Sequence, residues 1–440
     1  MKKNKIENLL HSKGYVSIEV LIIAGLLIAT GTFLTSKLVL KGKDVANSNN
    51  KNMTVASKTM DDNSFSNNIS TDQSQLVKEE KSKHTMEKPA DLTDFDYAII
   101  GDNYINDELK KIDEKINDLP SDIPAPPLEL TNNLKSNIKN LKEFSGGIII
   151  TGYHGNKTDI EIPSYIDDKE VVAIAPMAFA PKIPEPSEND MSEPPEGKLK
   201  SVKLPNTLKC IGDNAFMLNQ LTNITIPDSV TKIYSSAFRD NKLKSVKLSN
   251  TLKYIGDDAF SSNQLTDIAI PDSVLEVGNN AFDRNKIISI KLGSNLKKID
   301  EWAFANNNLI SVTIPDNVVE ICNSAFRRNK LKSIKLSSNL KEIGTWAFSE
   351  NELESVIIPD SVTEINNFSF ERNKLTSIKL GSNLKDIGNF AFAGNKLESV
   401  IVPDNVTSLG CGVFEHNPLK KKIIPKNCEE AKLPTPKVHK

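Results

Sequence analysis

The sequence predicts a repeat solenoid, in which short coils stack so that their strands join into a parallel sheet. Three observations support it. Phenylalanine returns every 22 residues at ten positions from Phe216 to Phe414, Phe238, Phe260, Phe282 and Phe304 among them. An asparagine follows three residues after each, as Asn241, Asn263, Asn285 and Asn307 do. The text between them is a polar–apolar alternation that repeats in step. A fixed period of this size marks a unit that cannot bury its own apolar face and must stack on copies of itself.

Residues 243–264 serve as the type coil. Ser245-Val246-Lys247-Leu248 alternates with period two, so Val246 and Leu248 face one side and Ser245 and Lys247 the other. Ser249-Asn250 turns the chain. Gly256-Asp257-Asp258 reads as a second turn, leading into a short helical or 3-10 turn around Ala259-Phe260. Stacking sets each Phe on the Phe of the next coil, with strands about 4.8 Å apart. The Asn lies in a turn, where an in-plane amide is suited to bridge backbone groups of neighbouring coils. Its expected role is structural.

A longer rhythm overlies this one. Lys203, Lys247, Lys291, Lys335 and Lys379 hold the outward strand position every 44 residues. The coils between carry Thr225, Ala269, Thr313, Ile357 and Ile401 there, and most have an Ile-Pro-Asp turn such as Ile226-Pro227-Asp228. Lysines on adjacent strands repel; skipping a coil sets them about 10 Å apart, near one screening length. The ladder is the candidate ligand-binding surface. It serves equally well as a solubility and register device.

The phrases Ile226-Pro227-Asp228-Ser229-Val230, Ile255-Gly256-Asp257-Asp258-Ala259-Phe260 and Leu265-Thr266-Asp267-Ile268 resemble bacterial leucine-rich repeats of the BspA-like class. The stretch from Gly147 through Ile162-Pro163 to Ala178-Phe179 is similar to that family's atypical first coil. The likeness covers residues 145–425. It implies a leucine-rich-repeat fold, display on a cell surface, and a role in adhesion and protein binding.

Ahead of the repeats, residues 1–14 form a basic leader with Lys2, Lys3, Lys5 and Lys13. Residues 15–40 hold an apolar run long enough to span a bilayer as a helix, interrupted by Glu19. Gly14-Tyr15-Val16-Ser17-Ile18-Glu19 resembles a type IV prepilin cleavage site. That resemblance implies a prepilin peptidase as partner, a cut after Gly14, Tyr15 as the new terminus, and Glu19 as the carboxylate that neutralises a neighbouring subunit's amine. An uncleaved signal anchor and a cleaved secretory signal are the competing readings. All three send the C-terminal part outside the cell.

Residues 41–92 are rich in Asn, Ser, Lys, Asp and Thr and read as a disordered stalk. Within 93–144, Ile105, Leu109, Ile112 and Ile116, then Leu134, Ile138 and Leu141, fall at helical spacing, so a small helical segment capping the solenoid is expected. Residues 181–195 are an insertion rich in proline and acid, read as a solvated loop or as part of a binding face. Lys420-Lys421-Lys422-Ile423 closes the repeats as a charged edge strand, and 426–440 is a basic tail.

Little in the chain points to catalysis. Cys210 and Cys322 are five coils apart, about 24 Å, well beyond the roughly 7 Å that a disulfide spans. Cys411 and Cys428 are placed to staple the C-terminal end. Trp302 and Trp346 share one position, 44 residues apart. No phosphate loop, nucleophile elbow or metal-ligand spacing is present, so no cofactor, metal or enzymatic activity is expected. A net charge of −2 predicts no general affinity for nucleic acid. The expected work is binding of an extracellular protein or glycan through the sheet face, with the membrane held by the N-terminal helix. The alternative is a minor pilin-like subunit presenting the solenoid on a fibre or secretion pseudopilus.

Overall fold

The computed structural model describes residues 92–118, 126, 128–181 and 196–425. The basic leader, Gly14, Tyr15, Glu19, the apolar run, the stalk up to residue 91, the inserted loop 182–195 and the tail 426–440 lie outside the described residues. Two compact units are present. One holds residues 106–140, with most of the helix Asp102–Asn117 and the helix Leu128–Asn140, joined by an ion pair between Lys135 and Asp113.

The other unit is a parallel β-solenoid of about twelve turns. Each coil contributes two strands. The first is the one the alternation predicts, as in Ser245–Lys247, with Val246 turned in and Ser245 and Lys247 exposed. The second is only two residues long, as in Tyr254–Ile255, and stacks in register on Lys232–Ile233 and Glu276–Val277. These short strands form a ladder through the whole solenoid, interrupted once between Val277 and Ile299.

The first strands pair two by two. Asn223–Thr225 hydrogen-bonds to Ser245–Lys247, and Asp267–Ala269 to Ser289–Lys291, while the strands of successive pairs do not join. The 44-residue rhythm is therefore the rhythm of strand pairing. An Ile-Pro-Asp coil and the Lys coil after it form one hydrogen-bonded unit. Ile226 N donates to Lys247 O at 2.8 Å, and Asp228 Oδ1 accepts from Asn250 N at 2.8 Å. Asp272, Asp316 and Asp360 repeat this with Ser294, Ser338 and Ser382, whose N–H groups hold the three carboxyls below their usual range.

The expected helical or 3-10 turn does not form. Ala259 N bonds to Gly256 O and Ser261 N to Asp258 O, but these remain isolated turns. Asp258 and Ser262 both have left-handed φ, 55° each, and such residues cannot continue a right-handed helix. Both positions are left-handed in coil after coil, for example Asn280 and Arg284 in the next. Ser236, Phe238 and Asp240 instead donate forward to Asp257, Ala259 and Ser261, a third ladder along the solenoid.

Inside run two columns. The rings from Phe216 to Phe414 stack nearly parallel, with centroids 5.3–5.8 Å apart. Phe238, Phe260, Phe282 and Phe304 are fully buried, each a burial of about 2–3 kcal/mol. Beside them stands the asparagine column. Asn285 Oδ1 accepts from Leu265 N at 3.0 Å, and its Nδ2 lies 2.9 Å from Phe260 O in the previous coil and 3.2 Å from Phe282 O in its own. Asn241, Asn263 and Asn307 repeat this pattern.

The ends are closed differently. Residues 95–99 form a strand, not part of a helical segment; Phe95–Ile99 runs antiparallel to Ile148–Tyr153 and covers the first edge of the sheet. Tyr153 and Phe179 begin the ring column. Asp167 and Asp168, both left-handed, turn the hairpin between Tyr165–Ile166 and Lys169–Ile174. At the far end Lys421–Ile423 pairs with Ser399–Ile401, and the Lys422 ammonium lies 5.5 Å above the last ring, Phe414.

Replacing Asn285 by Ala leaves Leu265 N and Phe260 O buried without this partner. The expected cost is about 2–4 kcal/mol of local stability. Native-state hydrogen exchange on the full chain should show faster exchange centred on Leu265 and spreading to adjoining coils. Unchanged protection at Leu265 contradicts a bridging role for the amide.

Candidate binding surface

Each first strand sends two side chains outward, so the sheet face has two columns. One is rich in serine: Ser245, Ser289, Ser311, Ser333, Ser355, Ser377 and Ser399 are exposed, and Asp159, Asn223, Asp267 and Lys421 hold the same position on other first strands. The other holds Lys203, Lys247, Lys291, Lys335 and Lys379, all exposed and each on the second strand of a hydrogen-bonded pair. Directly opposite them lie Glu161, Thr225, Ala269, Thr313 and Ile357. Pairing thus sets a lysine against a neutral neighbour everywhere except at Lys203, whose Nζ is 2.6 Å from Glu161 Oε1. Among the described residues Lys247, Lys291, Lys335 and Lys379 make no ion pair, though Asp272, Asp316 and Asp360 feel the charges of the last three. From Ser289 to Ser399 the small serines give Lys291, Lys335 and Lys379 a low, hydroxyl-lined floor.

The second ladder carries Lys232, Glu276 and Lys298 in its earlier coils and turns acidic in its later ones. Glu320, Glu342, Glu364 and Asp386 face one another in register across four coils. Like charges directly opposite are unfavourable. Burial, together with Glu342 and Asp386, pushes the Glu364 carboxyl up. Asn366 Nδ2 offsets part of the repulsion by donating to Glu342 Oε1 at 2.7 Å. Acid is thus concentrated on the later second strands, in a chain whose charges nearly cancel in total.

At the turns, Trp346, Phe368 and Phe390 form a second aromatic column with centroids 5.3 Å apart. All three sit at left-handed φ, an unusual conformation for bulky side chains. Trp302 does not touch Trp346. The coil between has Ser324 at that position, and the Arg327 guanidinium fills the gap, 5.7 Å from the Trp302 ring and 5.3 Å from Trp346. Arg327 is itself held by Glu350 at 2.6 Å. Ring faces are thus spent on one another and on Arg327, which removes the flat, open platform that a pair of exposed tryptophans offers a sugar. The repeat of Trp346, Phe368 and Phe390 at 22 residues was the available signal for this column.

Cys210 and Cys322 are buried, and burial raises both thiols, Cys210 to about 12. Neither is a thiolate near neutral pH. Cys428, the expected partner of Cys411, lies outside the described residues. Among the described residues no three His, Cys, Asp or Glu side chains converge as metal ligands, and no helix is long and apolar enough to cross a membrane.

Comparison with known families identifies the repeat. The BspA type leucine rich repeat region, in six copies, matches residues 196–311 and 302–421. Solved structures of similar proteins include a leucine-rich repeat protein from Bacteroides ovatus, at 23% identity over 65% of this chain and 86% of that one, TM-score 0.43. A leucine rich cell surface protein from Faecalibacterium prausnitzii is 25% identical over 64% and 85%, TM-score 0.40. The pneumococcal vaccine antigen PcpA is 24% identical over 65% and 72%, TM-score 0.45. No curated protein matches the chain at comparable significance. With more than half its length matched in register, the chain belongs to the BspA-type leucine-rich-repeat family.

Proposed function

We propose that the protein is a non-catalytic binding protein displayed at the cell surface, and that it engages an extracellular protein or glycan through its sheet face. The single observation behind this reading is the column of Lys247, Lys291, Lys335 and Lys379. These cations are exposed, evenly set and without ion-pair partners among the described residues. From Ser289 to Ser399 an unbroken run of serines lies beside the column, a regularity that solubility alone does not require. Contact is multipoint, with many weak positions acting along one rigid face, and suits a partner of negative charge. Neither cofactor, metal nor nucleic acid enters this reading.

Membrane attachment through residues 15–40 is part of the proposal, supported by the apolar run and the basic leader. The alternative, a minor pilin-like subunit, is favoured specifically by Gly14-Tyr15 followed by Glu19. Mass spectrometry of the membrane-extracted protein decides between them. A mature terminus at Tyr15 supports prepilin processing, and an intact Met1 supports a plain anchor.

The cationic face is tested on a heparin matrix. The triple substitution Lys247→Ser, Lys291→Ser and Lys335→Ser should lower the salt needed for elution and flatten the salt dependence of binding. Lys203→Ser, already neutralised by Glu161, should change little. Unchanged elution of the triple variant removes the ladder as a binding surface.

A further inference from the structure

The outward column changes character along the solenoid. In the earlier coils the residues between lysines are Thr225, Ala269 and Thr313. In the last coils they become Ile357 and Ile401, each 67% exposed, followed by Ile423 at 43%. Ile401 lies directly opposite Ile423, and Ile357 directly opposite Lys379. Strand propensity does not require isoleucine here, since threonine serves at Thr225 and Thr313. Scattered exposed aliphatics are ordinary, but these line up in one column.

Exposed Glu354 and Glu398 directly precede the strands of Ile357 and Ile401, Glu398 paired with Lys420 at 2.9 Å, and the strands themselves are more uniform. The outward positions of the last five first strands hold three isoleucines, the lysines Lys335, Lys379 and Lys421, four serines and no carboxylate. We infer that this C-terminal part of the sheet face is a docking surface for an acidic amphipathic helix of a partner protein. The inference rests on the sheet-face reading above and narrows it.

Spacing and charge both select this occupant. Ile357 and Ile401 are two coils apart, about 10 Å, with Lys379 midway. A helix laid along the solenoid axis brings residues seven apart to about 10.5 Å, with a residue one turn on at about 5.4 Å. Apolar residues at i and i+7 with a carboxylate between them therefore meet isoleucine, lysine and isoleucine in turn. A glycan answers the lysines but leaves the isoleucines unmatched. A second copy applied through the same face sets lysines against lysines.

The test uses the full chain and synthetic helical peptides of about 18 residues, with Leu at every seventh position and Glu one turn after each. Fluorescence anisotropy should show the Leu/Glu peptide binding at least about tenfold more tightly than its Leu/Lys counterpart. The double variant Ile357→Ser, Ile401→Ser should lose about tenfold in affinity. The variant with Thr at the same positions keeps strand propensity and should lose as much, which separates lost contact from lost folding. Equal binding of both peptides, absence of binding, or a Leu/Glu affinity untouched by the isoleucine substitutions overturns the inference. So does concentration-dependent dimerisation abolished by these substitutions, which assigns the patch to a second copy. So does heparin binding that needs the isoleucines without any peptide binding. If heparin binding still depends on Lys247, Lys291 and Lys335 while the isoleucine variants change nothing, only this inference fails and the broader reading stands.

Discussion

The structure depends on one contact made many times, the side-chain amide of asparagine held between two coils. A coil of this length has turns that run beside the core, where water is not at hand to satisfy the backbone. The amide is planar, with an acceptor and two donor hydrogens in one plane, so one side chain answers groups on both sides of it. Asn263 takes the N–H of Leu243 and donates to Phe238 O and Phe260 O. Aspartate lacks the donor, and glutamine is longer by one methylene. The rings gain by stacking, yet a ring column alone does not fix axial spacing or rotation. The directional bonds do, and the rings fill the space they define.

From that regularity comes the outer face. Because coils repeat at fixed spacing, a residue type repeated in the sequence becomes a column in space. The pairing of first strands adds a second level. From Lys247 to Lys379 each ladder lysine shares its hydrogen-bonded pair with a small or apolar residue, and Lys203 shares its pair with Glu161, so no two ladder lysines stand on directly bonded strands. The acid run of Glu320, Glu342, Glu364 and Asp386 has an opposite charge only at its start, where Lys298 faces Glu320, and has Asn366 as an outside donor further on. A nearly neutral chain thus carries a run of acid on the later second strands and a spaced column of lysines on the first.

The parts legible from sequence were those written in the period. Phe282 and Asn285 recur in step, and repetition admits few arrangements other than stacking. The lysine ladder was legible for the same reason, and its spacing of two coils has a cause in the strand pairs. What was hidden was conformation. The text around Asp257-Asp258-Ala259 suits a helical turn, but two left-handed residues per coil prevent it, and Ser262, Arg284 and Trp346 are not residues whose identity announces that geometry. The short strand Tyr254–Ile255 was hidden because two residues cannot display an alternation. The cap strand Phe95–Ile99 was hidden because it occurs once, with no period to expose it.

A stacked solenoid requires coils that succeed one another at constant rise from Lys247 to Lys379. A spin-label ruler tests it most directly. Labels on Lys247→Cys and Lys379→Cys, with Cys411 and Cys428 changed to Ser, stand six coils apart on one column. Stacking at about 4.8 Å per coil predicts a narrow distance distribution centred near about 29 Å. A broad distribution, or a maximum far from that value, contradicts the stacked solenoid and with it the continuous face.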